Sequence, residues 1–137
     1  VIAETLYIYA DDDRSSRLTI DAALFAREKV TISPVSLTDE EKIVAVQLSA
    51  QMDDGEAETL AIASRRGLIA LSDDAAARRA APSIGVVLED ILDLLYAWGM
   101  QAQPAEAEAV AKALRLRANY APPRRHSLRQ WYLDLLS

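Results

Sequence analysis

Between Asp53 and Asp74 the chain reads DDGEAETLAIASRRGLIALSDD, with carboxylates before one helix and again after the apolar run that follows it. Asp54, Glu56 and Glu58 open this segment, and Ser72, Asp73 and Asp74 close it. Carboxylates crowded together raise one another's pKa, a cost that a hard divalent cation with oxygen ligands removes. Any one of these acids is accounted for by capping alone, since a carboxylate at a helix N-terminus accepts free N–H groups and complements the macrodipole. Two acid-bearing helix starts flanking one apolar strand are harder to explain in that way. Glu56 and Glu58 lie about 200 degrees apart around a helix, so only one of them faces such a site well.

For these acids to meet, short parallel strands must carry them. In a right-handed strand-helix-strand unit, the loops after the strands line one crevice. Residues 68–71 predict a short buried parallel strand and residues 84–87 another. Thr38 to Glu41 forms a capping box that opens a helix through Leu48. Residues 56–66 form the next helix, with Gly67 as its C-terminal cap. Ser72-Asp73-Asp74 opens another, and residues 89–98 form a helix that ends at Gly99. Upstream, residues 2–9 read as a helix with Ile2, Leu6 and Tyr9 on one face, ending in the turn Asp11-Asp12-Asp13. Ile20, Leu24 and Phe25 mark a second short helix, and Val30-Thr31-Ile32 a short strand closed by Pro34. This order predicts an α/β domain over residues 1–100. Residues 101–137 predict a helical extension: a helix over 105–118 whose Val110 and Leu114 face a partner, then a last helix carrying Trp131 and Tyr132 as packing residues.

Composition narrows the chemistry. The 137 residues are 51% hydrophobic and 26% charged, which is globular composition. No cysteine and a single histidine, His126, exclude thiolate sites and leave no second imidazole for zinc. A Ser-His-Asp arrangement would have to use His126, and no nucleophile elbow is present. Asp73-Asp74 as a phosphoacceptor pair lacks a lysine on a later strand. The net charge of -6 is uneven: residues 1–58 hold thirteen acids and five bases, whereas residues 109–137 hold one acid and six bases. In that tail Arg124, Arg125 and Arg129 are candidates for binding nucleic-acid phosphates. Apolar runs fall short of the roughly 20 residues that cross a bilayer, and residues 1–137 open on no basic n-region or small-residue cleavage site. A soluble, cytoplasmic protein without membrane partners is expected.

The string Asp54-Gly55-Glu56-Ala57-Glu58, the Ala-rich helix, Arg66-Gly67, the short apolar strand, Ser72-Asp73-Asp74 and then Ala77 with Arg78 resembles the PIN-domain nucleases. The likeness is to the branch with a D-x-G-E-x-E helix start and an [ST]-D-D turn. It extends more weakly from Val1 to Val87, where Val1-Ile2-Ala3-Glu4 is similar to the V-x-x-E segment that supplies another site carboxylate. The resemblance implies a PIN-like three-layer fold, with a short parallel sheet flanked by helices, and a Mg²⁺- or Mn²⁺-dependent endoribonuclease. It also implies RNA as substrate, a toxin's place in a toxin-antitoxin pair, an antitoxin protein as partner and a homo-oligomer. Glu4, Glu56 and Asp74 take the catalytic positions, with Asp73 joining them as a metal ligand, and Asp54, Glu58 and Ser72 assist. The family pattern begins with an apolar strand ending in Asp, ahead of the segment that bears Glu4, and residues 1–137 contain no such strand. Poor RNA cleavage by this stretch alone is therefore expected. The alternative is a PIN-fold module with an incomplete site that binds or oligomerises through its helical tail.

Overall fold

A computed structural model describes residues 7–19, 22–29, 31 and 33–137; Glu4 and the rest of residues 1–6 lie outside the described residues, as do Ile20, Val30 and Ile32. The chain divides into two compact units, one of residues 34–94 and one of residues 1–33 with 95–137.

In the unit of residues 34–94, helix α2 (Asp39–Leu48) starts at the expected capping box. The Thr38 hydroxyl accepts from the Glu41 N–H at 3.2 Å, and the Glu41 carboxylate accepts from the Thr38 N–H at 2.8 Å. Helix α3 (Asp54–Arg66) begins two residues earlier than its sequence predicts. Asp54 and Gly55 sit in the first turn, where N–H groups lack helical partners, so glycine's weak helix propensity matters little there. Gly67, at φ 64, ends α3 in the left-handed region. Ala57, Leu60 and Ala61 form the spacing of one buried face on α3.

Strand β3 (Ala70–Leu71) pairs parallel with β4 (Leu88–Glu89), in the register Ala70↔Leu88 and Leu71↔Glu89. Both strands correct the expected ones. The second lies at residues 88–89 rather than 84–87, because Pro82 and Gly85, at φ 69, hold residues 81–85 in a 3₁₀ turn. The first is shorter than residues 68–71, because the Leu68 N–H is still bonded to Ala63 O at 3.0 Å, closing the helix end. It is also less buried than expected: Ala70 is inside, whereas Leu68, Ile69 and Leu71 are 52%, 62% and 51% exposed. Helix α4 (Ala75–Ala80) follows β3, and α5 (Ile91–Gly99) follows β4. The core joins Leu48, Leu60, Ala70, Ala77 and Val86.

In the other unit, β1 (Tyr7–Tyr9) pairs antiparallel with β2 (Arg17–Thr19). Residues 7–9 therefore do not continue a helix from residue 2. Tyr-Ile-Tyr has strong strand propensity, and the turn after it returns the chain for pairing, with Arg14 at φ 61. Helix α1 (Ala22–Arg27) forms where expected, and Thr31 lies in no described strand. Helices α6 (Pro104–Arg117) and α7 (Arg129–Leu135) pack through Tyr132, which is fully buried. Its hydroxyl donates to Ala111 O at 3.1 Å, and its ring meets that of Tyr120 edge-on. Trp131 packs edge-on against Tyr96, and a Cβ at Gly99 would come within 3.2 Å of the Trp131 ring. The mixed α/β class and a short parallel sheet are present, but the described strands make two separate two-stranded sheets.

Candidate functional site

Strands β3 and β4 end together. The Ser72 N–H donates to Glu89 O at 3.0 Å, so Ser72 to Asp74 and Asp90 leave the same carboxyl edge of the parallel pair. Asp74 is the N-cap of α4: one carboxylate oxygen accepts from the Ala77 N–H at 2.7 Å. The Asp74 N–H in turn donates to the Ser72 hydroxyl at 3.1 Å. Ser72 therefore fixes the backbone of Asp74. The second oxygen of Asp74 has no protein donor among the described residues, and Asp73 beside it is exposed.

Asp90, which the sequence reading passed over, is fully buried at the same edge. One of its oxygens accepts from the Leu92 and Asp93 N–H groups, at 2.9 and 3.0 Å, capping α5. The other accepts from the Arg78 guanidinium at 2.8 Å. Asp93 returns the cap by accepting from the Asp90 N–H at 3.0 Å, and carboxylate oxygens of the two lie within 4.8 Å of one another. Asp90 thus ties the start of α5 to α4. An acid directly after a strand with a second acid three residues on was the available signal, as in the capping box of α2.

On α3, Asp54 and Glu58 line a groove of about 220 Å³ with Ala45, Val46, Ser49 and Ala57. Glu56 is half-buried and is not among those lining residues, in keeping with its different face of the helix. After Gly67 the chain folds back along α3, so that Thr59, Ile62 and Ala63 line a groove with Leu68 to Leu71. This reversal turns the N-terminal part of α3 towards the end of β3 that bears Ser72. At the opposite end of α3, Arg66 pairs with buried Glu41 at 2.6 and 2.8 Å. That guanidinium, with the Thr38 N–H, outweighs burial and lowers the Glu41 pKa to about 2.

In the other unit, Arg124 and Arg125 are exposed in the turn before His126, and Arg129 opens α7 half-buried. None of the three is paired with a carboxylate among the described residues. No described helix is long and apolar enough to cross a membrane.

A family model described as a PIN domain matches residues 8–124. The match runs past residue 100, beyond the motifs that carry the resemblance. No curated protein and no solved structure gives a match.

Proposed function

This chain belongs to the PIN-domain family, and on that premise we propose that it is a divalent-metal-dependent endoribonuclease working at the carboxyl edge of β3. The observation that carries this reading is the pair Asp73 and Asp74, exposed where two parallel strands end, with one Asp74 oxygen left by its cap. The donors are all carboxylate oxygens, which fit a hard cation such as Mg²⁺ or Mn²⁺. Asp73, Asp74 and Glu56 would hold it, joined by Glu4. A cation there supplies Lewis-acid stabilisation for displacement at phosphorus.

The chain's own residues hold the site in shape. The Ala77 N–H orients the Asp74 carboxylate, Ser72 fixes its backbone, and Arg78 with Asp90 keeps α4 and α5 from separating at the edge. Arg124, Arg125 and Arg129 bind RNA phosphates in this reading. A role as toxin, with an antitoxin protein and self-association, belongs to the same reading, and exposed Ile43 and Val46 on α2 offer apolar surface for it.

Single-turnover cleavage of a mixed RNA pool, with Mn²⁺ and with chelator, tests the proposal. Cleavage is expected to be weak, Mn²⁺-dependent and reduced at least about 100-fold by Asp74→Asn. Chelator-resistant cleavage would overturn it. So would silence both from this chain and from one preceded by an apolar strand ending in Asp, which would favour a binding module.

A further inference from the structure

We propose that the outer face of the β1–β2 hairpin is a stacking platform for single-stranded nucleic acid. It is a binding surface in addition to the carboxylate site, and it stands whether or not that site cleaves RNA.

The hairpin register places Tyr7, Tyr9, Arg17 and Thr19 on one face and Ile8 and Leu18 on the other. Ile8 lines a groove with Val110 and Leu114 of α6, so this aliphatic residue is used inward. On the other face the Tyr7 and Tyr9 rings meet edge-on, with centroids 5.7 Å apart, and Tyr7 is 39% exposed. The Arg17 guanidinium lies 4.2 Å from the Tyr7 ring centroid, and that of Arg14 lies 5.3 Å from Tyr9.

Charge decides what this face fits. Arg17 has no carboxylate partner among the described residues, and Arg14 donates to two neutral acceptors, Leu116 O and Asn119 Oδ1. The acids of the adjoining turn keep their charge but are held by other donors. Asp11 accepts from Ser15 and Ser16, Asp12 pairs with Arg117 at 2.8 Å, and Asp13 accepts from the Ser15 N–H. Two rings and two guanidiniums without a carboxylate partner among the described residues therefore share one face. Bases of any identity stack on aromatic rings and on guanidinium planes alike, so a guanidinium held over a ring extends the stacking surface and keeps N–H groups for a phosphate. A protein partner would favour an apolar centre, and among the described residues of the hairpin this face carries no aliphatic side chain.

The test is binding of an unstructured RNA of about 8 nucleotides, within the span of single-strand binders. The 137-residue chain is used in chelator, so that cleavage and carboxylate-bound metal play no part. A sugar-phosphate chain of equal length without bases is the control. The Tyr7→Ala/Tyr9→Ala variant should bind RNA about tenfold or more weakly, Tyr7→Phe/Tyr9→Phe should retain affinity, and the abasic chain should bind all three alike. Arg17→Ala should flatten the salt dependence. Because alanine disfavours strands, Tyr7→Val/Tyr9→Val repeats the test with strand propensity kept. RNA affinity unchanged in the valine variant, or abasic chain bound as tightly as RNA by the parent, would overturn the proposal. Loss of a co-purifying protein with unchanged RNA affinity would also do so, assigning the face to a protein.

Discussion

Asp74 uses its two oxygens differently, one as an N-cap and one facing outward, and the two uses can be separated. Asparagine caps about as well as aspartate, so Asp74→Asn should leave metal-free stability within about 0.5 kcal/mol, whereas Asp74→Ala should cost about 1 kcal/mol in urea unfolding. Glu41 gives a pH signature. Its carboxyl is held at about 2 against an ordinary 4.5, first by hydrogen bonds from Arg66 and then by the Thr38 N–H. A depressed folded pKa means that the stabilisation is fully present above about pH 4.5 and is lost as pH falls towards 2. Urea unfolding across that window should show the loss, and Glu41→Gln, which keeps the capping box, should flatten it. The caps of α2 and α4 could be read in the sequence because donor and acceptor lie three residues apart. The Arg66–Glu41 and Arg78–Asp90 pairs could not, since each depends on packing that brings distant residues together.

Among elements, helix ends with their own chemistry are placed well by sequence and short strands are not. Thr38 starts α2 and Gly67 stops α3, each through a local backbone requirement, and α5 ends at Gly99 as its sequence predicts. Residues 7–9 are ambiguous because Ile2, Leu6 and Tyr9 fit a helical face while Tyr-Ile-Tyr fits a strand, and only pairing with Arg17–Thr19 decides. The same holds for residues 84–89, where Pro82 and Gly85 delay the strand. Two substitutions test the account of α3. Leu60→Ala removes a side chain that is 1% exposed, and should cost about 3 kcal/mol in chemical denaturation. Gly67→Ala meets no neighbour within 4 Å, so its cost should be conformational alone, about 1 kcal/mol, and Gly67→Asn should recover part of it.

For the whole molecule, the segment from Asp54 to Arg78 was enough to point to the PIN domain, and the family match extends over residues 8–124. What the sequence left hidden is how its strands pair, because pairing joins residues far apart: the described strands form two small sheets rather than one. If separated acids gather round one cation, thermal unfolding under Mn²⁺ titration reads that binding out. A ligand held only by the folded state at about 100 times its Kd adds about 2.7 kcal/mol, a rise of several degrees in Tm. The chain should show that rise, and Asp73→Asn/Asp74→Asn should abolish it while leaving the metal-free Tm unchanged or higher. An equal rise in the variant, or none in the parent chain, would mean that these acids hold no cation.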